Sequence, residues 1–333
     1  MNALVYLGPR RMELRDVPEP APGPGEVVIE TAASAICGSD LHGFREASPR
    51  RVPPLIMGHE TVGSIASVGE GVDRGRLGQR VVLRPVLACR ACDACMAGRT
   101  NLCASGRLVG RDVPGGFAER FAVPEQAAVE IGSDTSDDVA TLIEPLANAV
   151  HVTARAVRPN DDVLVLGAGP IGVLMARMSL ERGASRVYIT DRVPSRLELA
   201  GAQGAWPLDA DTAEEKVTEV TRGRGVDVVI DAVGVDATWA SAIRAVRPGG
   251  RIEIVGFGSG SVVVPAFEVI GREVTISGSY AWVDDEFAMA VELIEGGAVD
   301  TTGWFTSSTF AEGERAFDEL VDATGLFKVV LRP

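Results

Sequence analysis

The chain has 333 residues, of which 46% are hydrophobic and 23% charged, long enough for two domains with separate cores and too apolar for a disordered chain. Its 46 acidic residues against 32 Lys and Arg give a formal net charge of -14, which excludes an extended phosphate-binding surface and argues against nucleic acid as a partner. Uncharged runs such as Val163 to Ala176 fall short of the roughly 18 to 20 residues a membrane span needs. The opening MNALVYLGPRR has no basic residue ahead of its short apolar run, so no membrane partner and a cytoplasmic location are expected.

Residues 1 to about 145 alternate short β-type runs (ALVY, EVVIE, QRVVLRPV, FAERFAV) with Gly and Pro turns such as PAPGPGE, a pattern that predicts an irregular β-rich domain. Two groups of potential metal ligands fall inside it. Cys37, in AICGSDLHGF, is followed by His59 and Glu60 in MGHETVG. A thiolate, an imidazole and a carboxylate suffice for a zinc that keeps one position open for water or substrate. Cys89, Cys92, Cys95 and Cys103 then stand as C-x2-C-x2-C-x7-C, a spacing that closes a tetrahedral thiolate shell around a structural zinc with no open position for chemistry. Disulfides would need an oxidising compartment, and iron–sulfur clusters follow other spacings.

From Asp162 the pattern becomes strand–helix alternation: VLVLG, PIGVLMARMSLERG, RVYITD, PSRLELAGAQG, then VDVVIDAVG, RIEIVGFG and EVTISGSY. This predicts α/β architecture with a doubly wound parallel sheet. Gly167, Gly169 and Gly172, with Pro170 and Ile171 between them, form G-x-G-x-x-G directly after a strand and at a helix start, where backbone N–H groups receive a pyrophosphate. Asp191 ends the next strand, where a carboxylate accepts ribose hydroxyls and repels a 2′-phosphate, so NAD is favoured over NADP. Arg192 and Arg196 are the residues that could instead grip that phosphate. The last fifty residues hold two helical patterns, EFAMAVELIEGG and EGERAFDELVDA, and a final strand, KVVLRP. Lys216 and Lys328 are the only lysines, a bias toward Arg that reads as genome composition and not as function.

The C-G-S-D-L-H run at Cys37, the G-H-E run at His59 and the four-cysteine lobe, in that order, resemble the zinc-dependent medium-chain dehydrogenases, and the resemblance covers essentially the whole chain. It implies a GroES-like β-rich catalytic domain over 1–145 with a structural zinc lobe, a Rossmann domain binding NAD over 146–283, and a segment 284–333 returning to the catalytic domain. It also implies two zinc ions per chain and oxidation of a secondary alcohol to a ketone, with hydride passing to NAD. In similar enzymes the positions of Ser39 and His42 relay the hydroxyl proton, and Asp40 would orient the zinc histidine. Where many relatives place a second cysteine ligand this chain reads LIEPLANAVH. Glu144 takes that position, as in polyol and threonine dehydrogenases, and the third ligand stays open between Glu60 and Glu144. His151, on the same helical run, is expected to be packed or to face the cofactor.

A glutamate in the zinc shell implies a hydroxylated small molecule as substrate: a polyol, sugar, cyclitol or aminoglycoside hydroxyl. Gly43 replaces the bulky residue usual after the relay histidine and is expected to enlarge the pocket, which Arg111, Asp112, Tyr280 and Trp282 border in similar enzymes. Two alternatives stand beside this reading: an L-threonine 3-dehydrogenase-like amino alcohol dehydrogenase, suggested by EPLANAVH, and a non-catalytic protein that binds zinc and NAD. Similar bacterial enzymes imply a homodimer or homotetramer, with the strand near EVTISGS pairing across the interface.

Overall fold

The structure is a computed structural model that describes residues 1–49, 51–322 and 325–333. It divides into two units, one formed by Met1–Glu144 with Val283–Pro333 and the other by Pro145–Trp282. Among the described residues no helix is long and apolar enough to cross a membrane.

In the first unit a seven-stranded sheet runs, edge to edge, Ala128–Glu130, Arg80–Leu83, Glu60–Val68, Glu26–Ala35, Lys328–Arg332 and Phe305–Thr309, with Arg120–Pro124 also pairing to Glu26–Ala35. Its register is what assembles the chemistry. Ala35, at the end of its strand, lies opposite Glu60, at the start of the next, and opposite Val330 of the C-terminal strand. Residues 36–37, 59–60 and 328 therefore meet at one end of the sheet, although the last lies at least 268 residues from the others in the chain. Sequence reading missed the strands Glu60–Val68 and Phe305–Thr309: the first begins with an acid and carries a glycine, and the second is largely Ser and Thr.

The helix Gly38–Arg45 follows Cys37 directly. It is held by Phe44, fully buried in a cluster with Phe117 and Phe317; the Phe44 and Phe317 ring centroids are 5.0 Å apart and the Phe117 and Phe317 rings meet edge-on at 5.9 Å. Each such ring contributes about 1.5–3 kcal/mol on burial, enough to dock a helix of two turns that would be unstable alone.

In the second unit six parallel strands run in the order Trp206–Asp209, Arg186–Asp191, Asp162–Leu166, Val226–Asp231, Val246–Ile254 and Thr275–Gly278. Asp162–Leu166 and Val226–Asp231 are buried throughout, the condition of strands covered on both faces by helices. The strand order turns at Asp162–Leu166, and the crevice beyond the carboxyl end of such a strand is where this architecture takes its ligands.

Candidate active site and metal centres

Cys37 Sγ, His59 and Glu60 each offer a ligand atom, and these atoms lie within 4.8 Å of one another. His59 Nδ1 faces Asp40 Oδ1 at 3.5 Å, which leaves Nε2 on the side of Cys37 and Ser39. Ser39 Oγ is 3.4 Å from Cys37 Sγ and 3.5 Å from His59 Nε2. Asp40 is fully buried; its Oδ2 accepts the Cys37 N–H at 3.2 Å, and its Oδ1 lies 2.9 Å from the Arg51 guanidinium. A carboxylate in that position fixes both the imidazole and the backbone of the cysteine. His42 sits half-buried in the last turn of the same helix.

Glu60 is 1% exposed and Lys328 3%; the Lys328 ammonium bonds the Glu60 carboxylate and donates to the Ile36 carbonyl at 3.2 Å. Sequence reading passed over Lys328 as a compositional accident. The one available signal was a lone lysine inside an otherwise apolar final strand. Burial pulls the Lys328 ammonium down, but Glu60, Cys37 and Glu144 outweigh it and hold it above the ordinary lysine range. Burial likewise pulls His59 down, while Asp40, Cys37 and Glu144 raise it to about 10. Glu144 is buried and acts electrostatically on both cations. Asp40, Glu60 and Glu144 thus stand with Cys37 among Arg51, Lys328 and His59. A sulfur, a nitrogen and carboxylate oxygens as donors fit a zinc ion, which would displace the protons of His59 and Cys37.

Gly43 opens no space. A Cβ there would lie 2.3 Å from Arg51 Cδ, because the Arg51 side chain, 5% exposed, fills the volume beside it. The expectation of an enlarged pocket is corrected accordingly. Arg111 is paired to Asp112 at 2.6 Å, Tyr280 is part-exposed, and both His151 and Trp282 are buried.

The four remaining cysteines form a second cluster. Cys89–Cys95, Cys92–Cys95 and Cys92–Cys103 sulfurs are 3.9, 3.6 and 4.0 Å apart. A tetrahedron with metal–sulfur bonds of about 2.3 Å has edges of about 3.8 Å, so the spacing suits one zinc and is far too long for disulfides. Backbone N–H groups of Ala91 and Cys92 pull the Cys89 thiol down to about 6, and burial pushes Cys95 up to about 12. The lobe is tied to the C-terminal segment by Asp284, which lies 2.8 Å from Arg90 and 3.4 Å from Arg84.

In the second unit Gly167 has φ +95°, and a Cβ on Gly172 would lie 1.9 Å from the Gly167 carbonyl oxygen, so the tight turn admits no side chain at either position. Gly169 caps the helix Pro170–Glu181 and has nothing within 4 Å of where its Cβ would be, an open approach to the helix N-terminus fit for a pyrophosphate, with Pro170 and Ile171 in the first turn. Asp191 accepts the Ala168 and Val193 N–H groups, each at 2.9 Å, one on each oxygen. The carboxylate therefore also holds the glycine loop, a role not read from sequence. Arg196 reaches within 3.9 Å of it, and Arg192 is exposed.

The family model for the alcohol dehydrogenase GroES-like domain matches residues 23–133, and that for the zinc-binding dehydrogenases matches 170–296. A probable D-xylulose reductase A of Aspergillus clavatus is 31% identical over 95% of this chain and 92% of its own. An L-threonine 3-dehydrogenase of a Chelativorans species is 35% identical over 95% of this chain and 94% of its own. The chain belongs to the zinc-dependent medium-chain dehydrogenases. Among solved members, a short chain alcohol dehydrogenase from Escherichia coli CFT073 in complex with NADH superposes with TM-score 0.92 at 30% identity, covering 100% of this chain and 99% of that one. As a zinc-dependent dehydrogenase the protein is an oxidoreductase acting on alcohols, with a GroES-like unit and a Rossmann-like parallel sheet.

Proposed function

We propose that this dehydrogenase oxidises a secondary alcohol carrying a second polar group to the ketone and passes the hydride to NAD. The observation that carries the reading is the convergence of Cys37, His59, Ser39 and two buried glutamates at one end of the first sheet. Zinc, when bound, supplies the Lewis acidity that eases loss of the hydroxyl proton, and NAD accepts the hydride. Cys37, His59 and either Glu60 or Glu144 would hold that zinc; the thiols of Cys89, Cys92, Cys95 and Cys103 would hold a structural one. Ser39 receives the proton at Oγ and His42 passes it toward solvent. Asp40 keeps His59 Nε2 turned to the metal position. Gly167, Gly169 and Gly172 would cradle the pyrophosphate, and Asp191 the ribose.

A polyol, sugar or cyclitol hydroxyl fits a shell with exchangeable carboxylates, whose neighbouring hydroxyl can reach the metal position. L-threonine is the second reading, supported by the 35% identity to a threonine 3-dehydrogenase. A screen for NADH formation over xylitol, other polyols, cyclitols, amino sugars and L-threonine, with NAD and NADP in parallel, separates the two; no turnover of any by zinc-loaded protein refutes both. The free thiols suit a reducing compartment, and we assign the enzyme to the cytoplasm. Thr275–Gly278 is an edge strand preceded by the exposed Phe267 and Ile270, a surface suited to pairing with a second copy, so a homodimer or homotetramer is expected by light scattering.

A further inference from the structure

Arg51 lies outside every motif of the sequence, yet it is 5% exposed, and its guanidinium meets Ser39, Asp40 and the Gly110 carbonyl. Nη2 donates to Ser39 Oγ at 2.9 Å and lies 2.9 Å from Asp40 Oδ1; Nε donates to the Ser39 carbonyl at 3.1 Å, and Nη1 to the Gly110 carbonyl at 2.9 Å. Its aliphatic stem occupies the volume that the absence of a side chain at Gly43 leaves free.

We propose that Arg51 is a positioning residue for proton transfer, fixing the Ser39 hydroxyl so that one lone pair and its own proton are left for the relay. This rests on the reading of Ser39 given above. A serine hydroxyl has one proton and two lone pairs, whereas arginine only donates and does not lose its proton in proteins. With Arg51 on one lone pair, Ser39 can accept from a single direction and donate in another, and its Oγ already lies beside Cys37 Sγ and His59 Nε2. In turnover the alcohol gives its carbon-bound hydrogen as hydride to NAD and its hydroxyl proton to the free lone pair of Ser39, while Ser39 releases its own proton onward. One alcohol and one oxidised cofactor become one ketone, one reduced cofactor and one proton. Because Asp40, which faces His59, anchors the same guanidinium, the serine and the imidazole are set by one ion pair. The Gly43 and Arg51 pairing is the specific feature: a side chain at 43 would expel the arginine.

The test is kinetic, on zinc-loaded enzyme, with whichever alcohol of the screen above is turned over with NAD. Arg51→Met is expected to lower kcat about tenfold to a hundredfold, with zinc content and NAD affinity unchanged and the solvent deuterium isotope effect on kcat raised. Arg51→Lys, which restores a donor, should recover part of the loss. Gly43→Ala, which touches neither serine nor metal ligand, should lower kcat in the same direction. In a Ser39→Ala background Arg51→Met should cost less than about twofold more, since residues that act as a unit are not additive. If Ser39→Ala is impaired and Arg51→Met multiplies that loss in full, Arg51 acts elsewhere and the proposal falls while the serine reading stands. If Ser39→Ala retains wild-type kcat, or if zinc-loaded wild-type protein turns over no alcohol of that screen, the parent reading fails and takes the proposal with it. Loss of zinc from Arg51→Met, with Gly43→Ala at wild-type rate, would make Arg51 a support of the metal site instead of the serine and overturn the proposal.

Discussion

Replacing Lys328 by methionine removes one partner of an ion pair whose members are 3% and 1% exposed. Removing one member of such a pair costs about 3–5 kcal/mol, because the other is left charged and out of water. The Ile36 carbonyl loses its 3.2 Å bond as well. Every 1.4 kcal/mol is tenfold, so the chelator-treated Lys328→Met protein should open the Lys328–Arg332 strand roughly a hundredfold to a few thousandfold more often than wild type, read by hydrogen exchange of that segment. Zinc should restore part of the stability, since its charge compensates Glu60, and Lys328→Met combined with Glu60→Gln should restore most of it without metal. The wild-type pair is expected to hold across neutral pH: the folded ammonium titrates above its unfolded value, so its stabilisation is complete below the ordinary lysine range and is lost only as pH rises through the folded pKa. Unchanged strand protection in chelated Lys328→Met, or no rescue by Glu60→Gln, would refute the reasoning.

Cys37→Ala and His59→Ala should each lose zinc at the active site and abolish turnover while leaving NAD affinity nearly unchanged by calorimetry; wild-type rates in either variant would contradict the ligand assignment. Cys95→Ser should drop the zinc content from two per chain to one and destabilise the lobe anchored by Asp284, because a closed shell has no ligand to spare and its binding energy is folding energy. Asp191→Ala should narrow the preference for NAD over NADP, expected at tenfold or more in kcat/KM for the wild type, and should also loosen the glycine loop through loss of the Ala168 bond. Equal efficiency with the two cofactors in wild-type enzyme would show that the carboxylate does not face the ribose.

The sequence by itself determined the family, the two kinds of architecture and the chemistry available to each. These are written locally: three cysteines spaced two apart must turn toward one centre, a glycine triplet between a strand and a helix has one geometry, and buried parallel strands are apolar runs. Other features depend on residues that no local pattern joins. Lys328 is a lysine in an apolar strand until the register of Glu26–Ala35 against Glu60–Val68 and Lys328–Arg332 sets it on Glu60. Gly43 reads as an open pocket until Arg51, from a loop with no periodicity, fills it. Asp191 reads as a ribose ligand alone until its Oδ2 is seen to hold Ala168 of the glycine loop as well. In each case the deciding term is a contact of a polar side chain largely withdrawn from water. Such a group must find its partner somewhere in the fold, and its position in the chain carries no sign of where.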